Sequence, residues 1–220
     1  MTDSQSVGKA PPPPGRRRNT PEGKDARKRE LIEAARALFV EQGYEGTSVA
    51  AIVRRAGVAQ GTFYLYFDGK ARVLTHLQGR VLVDMIQAFQ RAAARPGPAD
   101  ERLVAGVKAI LQVTRRHQKL LRVFRQGTTG EETETVWIQG REAFSVPFGQ
   151  LLREGVAEGL FTVDDPDLTA YLGLTLFDDL LYEALVFKKP AGPKKTLQVA
   201  LRFLLRALGT PEPRIQALPV

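Results

Sequence analysis

The chain has 220 residues, 43% hydrophobic and 25% charged, a balance that suits a folded globular protein and excludes wholesale disorder. Its formal net charge of +8 favours polyanionic partners, and the excess is denser at the start: residues 1–70 carry 12 Lys/Arg against 8 Asp/Glu, residues 71–220 carry 20 against 16. There is no cysteine, which removes disulfides, thiolate zinc sites and Cys nucleophiles together, and no apolar run reaches the roughly 20 residues that a membrane span requires.

Residues 1–23 contain Pro11 to Pro14 and Arg16 to Arg18 but no apolar segment, so they read as an extended, solvated arm rather than a secretory signal. The arginine cluster suits either entry into a minor groove or a solubilising tail. From Lys24 to Gln42, Leu31, Ile32, Ala35, Leu38 and Phe39 recur at helical spacing, and Gly43 supplies the stop. Thr47 is placed to cap a short helix over 48–56 with Val49, Ile52 and Val53 inward. Gly57 breaks it, and Val58 and Ala59 lead into a third short helix over 60–66 with Phe63 and Phe67 as core anchors. Two short helices joined by so tight a turn make a helix-turn-helix.

A helix over 70–94, about 37 Å long, carries Val73, Leu74, Leu77, Val81, Met85 and Phe89 inward until Arg95-Pro96-Gly97-Pro98 ends it. Helices are then predicted over 100–117, 119–124, 133–157, 167–187 and 194–208, with 210–220 as a tail; no strand pattern of useful length and no internal repeat interrupts them. The fold class is therefore all-α, about nine helices, divided into a helix-turn-helix unit over 24–69 and a larger helical bundle over 70–209. The last two helices are apolar around most of their circumference, which requires cover on both sides, and a second subunit is the natural cover, giving a homodimer.

The chemistry lies in 47–70. Thr47 and Ser48 put hydroxyls and helix N-terminal amides where a phosphate can bind. Gln60, Gly61 and Thr62 open the second helix of the motif, the end that reaches base edges; Gln bonds adenine bidentately, Gly permits close approach, and Thr62 or Leu65 can touch a thymine methyl. Tyr64, Tyr66 and Lys70 suit phosphate contacts, and Arg54 and Arg55 suit either phosphate or plain solvation. The competing reading of the same spacing is a three-helix bundle in which Tyr64 and Tyr66 only pack.

These residues resemble the tetracycline-repressor family of bacterial regulators, whose signature is Phe-x-x-x-Gly-Tyr/Phe, then Thr-x-x-x-Ile, then Ala-Gly-Val-x-x-Gly-Thr-x-Tyr-x-Tyr/His-Phe-x-x-Lys. The chain reads Phe39-Val-Glu-Gln-Gly43-Tyr44, then Thr47-Ser-Val-Ala-Ala-Ile52 and Ala56-Gly-Val-Ala-Gln-Gly-Thr-Phe-Tyr-Leu-Tyr-Phe-Asp-Gly-Lys70. Ala59 departs from the family, which often carries Ser or another capping residue there; the loss costs up to about 1 kcal/mol.

The resemblance implies a cytoplasmic homodimer, paired through the last two helices, that binds near-palindromic double-stranded operator DNA and is released by a small-molecule effector. It further implies an effector pocket inside the bundle, for which the candidate lining is Met85, Phe89, Ile110, Thr114, Phe124, Trp137, Phe144, Phe148, Leu151, Tyr171 and Phe177. Ordinary core packing is the alternative for each. Such a lining is apolar and suits a lipophilic effector, an acyl or acyl-CoA type included, with Arg122 and Arg125 as candidates to meet an anionic head.

No cofactor, membrane or metal is expected, since His76 and His117 do not converge with other ligands. No catalytic motif is present; Asp164-Asp165 reads as a loop before a helix, and Asp178 as a polar position open to a ligand or a partner arginine. Two functions compete with the regulator: a helical protein–protein or lipid-carrier module without sequence-specific DNA binding, and a helical enzyme.

Overall fold

The computed structural model describes residues 21–126, 131–175 and 192–220, and among these the chain is helical with no strand. Residues 1–20, with the proline run and the arginine cluster, lie outside the described residues, as do Phe177, Asp178 and the rest of the helix expected beyond residue 175.

Helix α1 (Pro21–Gln42) buries Leu31, Ala34, Ala35, Leu38 and Phe39 and ends at Gly43, whose φ of +78° is readily adopted only without a side chain. Helix α2 (Val49–Ala56) is capped by Ser48, whose Oγ accepts from the Ala51 N–H at 3.1 Å. This corrects the expectation that Thr47 caps it. Thr47 is buried, and its hydroxyl donates to the Gly43 carbonyl at 2.7 Å, closing the turn after α1. Gly57 terminates α2 in the left-handed region, and α3 (Gln60–Tyr64) follows, two residues shorter than the 60–66 expected.

Helix α4 (Lys70–Ala93) and helix α5 (Ala99–Gln126) run side by side as an antiparallel pair. The expected break near residue 118 is absent. Gln118 and Lys119 are good helix formers, and burial continues past them through Leu120, Leu121, Val123 and Phe124. Helix α6 (Glu131–Ala157) crosses α4 and tolerates Pro147 in its interior. Helix α7 (166–175) starts at Pro166, with Asp165 Oδ1 accepting from the N–H groups of Asp167 and Leu168 at 3.0 Å each. Asp165 is thus a helix cap. Helix α8 is Gly192–Ala207.

The segment read as a tail contains a further helix, α9 (Glu212–Ala217), which buries Ile215 and, just after it, Leu218. Arg214 grips fully buried Asp100 at the start of α5 through two bonds of 2.6 and 3.0 Å. The three prolines between 211 and 219 disguised it, although proline fits the first turn of a helix.

Two hydrophobic cores result. One joins α1, α2 and Phe63 of α3 to Val73–Val81 of α4 and Leu120–Phe124 of α5. The other joins Phe89, the first half of α5 and parts of α6, α7, α8 and α9. Helices α4 and α5 pass through both, so the helix-turn-helix core extends beyond residue 69.

Candidate DNA interface and interior cavity

The local chemistry of 47–67 divides inward from outward side chains sharply. Ile52, Phe63 and Phe67 are buried, Phe63 packing on Phe67 with ring centroids 5.8 Å apart. This fixes the roll of α3, so that Gln60 and Gly61 are exposed, Thr62 is half-buried, and Leu65 is 80% exposed with no apolar cover. Tyr64 is 52% exposed and rests edge-on against Phe63, whereas Tyr66 is half-buried against the core. Ala59 occupies the cap position of α3 without a side-chain bond.

Around this face the candidate phosphate groups separate. Ser48 is exposed at the start of α2, where its hydroxyl keeps a proton to donate. Thr47, buried and committed to Gly43, has no hydroxyl to offer a duplex, which corrects that assignment. Lys70 is turned inward: its Nζ donates to the Tyr44 carbonyl at 2.8 Å and sits 4.3 Å from the Tyr44 ring centroid. It ties the end of α1 to the first turn of α4. Arg55 is paired with Glu41, one bond measuring 2.8 Å, and that guanidinium holds the Glu41 carboxyl below its usual range. Arg54 is exposed and has no ion-pair partner among the described residues, so it is the cation of the two open to a phosphate.

A cavity of about 100 Å³ lies between α4, α5 and α6, with α7 and α8 closing it. Of the candidate lining residues, Met85, Phe89, Ile110, Thr114, Trp137, Phe144 and Phe148 lie on it. Phe124 does not, being buried in the helix-turn-helix core; Leu151 is buried in the other core, and Tyr171 is on the surface, 41% exposed. Arg122 and Arg125 are exposed on α5 and away from the cavity wall. Leu82, Val107, Leu121, Gly140, Arg141, Leu174 and Leu204 are the other described residues of the lining. Gly140 marks a close approach of α6 to α4, since a Cβ there would lie 2.5 Å from Leu82 Cδ1.

The cavity sits on the seam between the cores: Leu121, Met85 and Trp137 pack with the helix-turn-helix core, Phe89, Val107, Phe148 and Leu204 with the other.

The sequence pattern of the tetR family of bacterial regulatory proteins matches residues 31–77, and that of the tetracyclin repressor-like C-terminal domain matches residues 96–181. The chain belongs to the tetR family.

Its relatives include the HTH-type transcriptional regulator YhgD of Bacillus subtilis, 26% identical over 160 residues, 71% of this chain and 83% of that one. The transcriptional repressor KstR2 of Mycolicibacterium smegmatis is 23% identical over 205 residues, 87% of this chain and 93% of that one. The same fold occurs in the transcriptional regulator FadR of Bacillus subtilis, solved in complex with stearoyl-CoA, with a TM-score of 0.68, 20% identity and coverage of 81% of this chain and 97% of that one. A tetR-family chain is a DNA-binding transcriptional regulator, and this sets aside the carrier-module reading. Among the described residues no helix is long and apolar enough to cross a membrane.

The residues that sequence reasoning missed carried a faint signal. Arg141 lies at i+4 from Trp137 and precedes Phe144 and Phe148 by three and seven, so the spacing already put a cation within an aromatic stripe.

Proposed function

We propose that this tetR-family protein is a dimeric repressor, which places the α3 helices of two subunits in successive major grooves of a near-palindromic operator and leaves it when a lipophilic effector fills the cavity. The observation that carries the reading is the exposed face of α3: Gln60, Gly61 and Leu65 project from a helix whose Phe63 is wholly buried. An uncovered leucine beside a glutamine and a glycine fits thymine methyl and adenine edges. Phosphate contacts fall to Ser48, Tyr64, Tyr66 and Arg54, with Lys70 positioning α4 beneath them.

Pairing is supported by the surface of α7 and α8, where Leu168, Tyr171, Leu172, Val199 and Phe203 are each between 41% and 61% exposed. That apolar face suits a second copy of the chain. The half-sites then lie about 34 to 36 Å apart, or a multiple of that.

Release follows from the size and place of the cavity. A space of about 100 Å³ is smaller than the roughly 150 Å³ that admits one benzene ring, so an acyl-sized effector widens it or extends from its open side. Leu82, Met85 and Phe89 stand on α4, whose first turn is tied to Tyr44 at the end of α1. Widening the cavity therefore moves the helix that carries the DNA-binding unit. Repression is lifted to the extent that the effector binds the displaced state more tightly than the DNA-bound one. Relatives named as repressors and a FadR structure holding stearoyl-CoA support this reading.

Selection of bound fragments from genomic DNA, followed by footprinting, tests it. Two protected half-sites related by a dyad at one helical turn or a multiple are expected; protection without sequence preference would refute the operator.

A further inference from the structure

Among the described residues the lining of the cavity is apolar in all but two side chains, Thr114 and Arg141. The Thr114 hydroxyl is spent on the Ile110 carbonyl at 3.0 Å, inside its own helix. Arg141 is different. It is half-buried in the aromatic stripe of α6, between Trp137 and Phe144, and no carboxylate lies within 4 Å of it among the described residues. Among the described residues its guanidinium meets the Tyr171 ring, 5.9 Å from the centroid, and the Thr175 hydroxyl at 3.5 Å, the outer limit of a hydrogen bond, both on the exposed side of α7. Other partly buried arginines of the chain are neutralised: Arg102 by Glu154 and Glu158, Arg214 by Asp100. A guanidinium at the half-buried rim of an apolar cavity, with no carboxylate on it among the described residues, is open to an anion, and its planar fork matches a carboxylate in two parallel bonds.

We infer that Arg141 is the head-group receptor of the cavity, and that the effector is an apolar chain bearing a carboxylate directly on its end. This deepens the effector reading above and rests on it. The position of Arg141 is the reason for choosing a carboxylate. It stands on the wall itself, one helical turn from Trp137 and Phe144, so the anion must adjoin the apolar body. In a coenzyme A thioester the acyl end is uncharged and the phosphates lie far along the pantetheine arm. A free acid meets Arg141 with its head while its chain lies against Phe144 and Phe148.

The full chain contains its own reporter, because Trp137 is its one tryptophan and lines the cavity. Tryptophan fluorescence is titrated with decanoate, decanol and decanoyl-CoA below their micellar concentrations, for the native chain and for Arg141→Gln. The native chain is expected to bind decanoate about ten- to a hundredfold tighter than decanol, the worth of a charge-assisted hydrogen bond, with decanoyl-CoA no tighter than decanol. In Arg141→Gln the preference for decanoate falls to about unity while decanol affinity is retained; retained decanol binding shows that the variant is folded. Equal binding of acid and alcohol by the native chain, an undiminished preference in the variant, or decanoyl-CoA as the tightest ligand each overturns the role of Arg141 and leaves a lipophilic effector standing. No response to any of the three overturns the effector reading as well.

Discussion

Replacing Lys70 with alanine separates a positioning role from a phosphate contact. In the structure its ammonium makes one charge-assisted bond, to the Tyr44 carbonyl at 2.8 Å, worth about 1.5–3 kcal/mol. The Tyr44 ring face adds about 0.5–1 kcal/mol for a partly exposed cation. Glu45, 3.9 Å away and 85% exposed, contributes almost nothing. Lys70 keeps 26% of its side-chain surface in water, which also solvates the released carbonyl, so the lower end applies: a loss of about 1.5–2.5 kcal/mol. For a chain of this length that lowers the thermal midpoint by about 3–10 °C. Thermal unfolding is measured beside the salt dependence of operator binding by fluorescence anisotropy. The expected result is a lowered midpoint with the slope of log affinity against log salt nearly unchanged. An unchanged midpoint with a slope reduced by about one per subunit would refute the positioning account and return Lys70 to the phosphates.

Three further outcomes are expected. Ala59→Ser supplies the missing cap of α3, whose backbone at residue 59 is already extended, and raises stability by about 0.5–1 kcal/mol in denaturant unfolding; a loss of stability would show that the cap geometry is wrong. Arg214→Ala strands the buried Asp100 carboxylate and costs roughly 2–3 kcal/mol, discounted for the 36% exposure of the arginine; a cost below about 0.5 kcal/mol would mean that α9 is not docked as described. Burial lowers the pKa of both His76, which also faces Lys28 and Arg80, and His117, whose Nε2 is 3.3 Å from Asp84 but not aligned as a hydrogen bond. The unfolded chain therefore takes up protons first as pH falls through the ordinary histidine range, so stability is full above about pH 6.5 and declines below it. The midpoint at pH 5.5 is expected below that at pH 7.5, with the difference reduced in His76→Gln/His117→Gln; equal midpoints for the native chain would contradict it.

The helix-turn-helix was legible because its determinants are local. Gly43 and Gly57 stop helices by conformation, and Phe63 and Phe67 fix a roll that any helix of that spacing shares. The one-residue error at the cap of α2 arose between two adjacent hydroxyls. Only the turn geometry decides that Thr47 folds in toward Gly43 while Ser48 faces out. The cavity was legible in part, for a related reason. Helical spacing shows that Phe124 and Leu151 point inward, but not toward which of two cores, and that depends on contacts between residues far apart in the chain. The break expected near residue 118 falls where one continuous helix passes from one core, which it leaves after Leu111, to the other, which it joins at Leu120. Helix α9 was hidden because its hold on the bundle, Arg214 on Asp100, spans 114 positions of sequence.

That passage of α5 through both cores bears on how regulators of this kind can be recombined. A DNA-reading head cut at residue 69 and grafted onto another sensor would lose Leu120, Leu121 and Phe124, which complete its interior from more than 50 residues downstream. The portable piece is discontinuous: α1 to α3, the lower part of α4 and the closing turns of α5 travel together. Exchange of operator specificity by sequence shuffling then succeeds when the graft preserves that remote wedge, or when the recipient presents side chains of matching volume in its place.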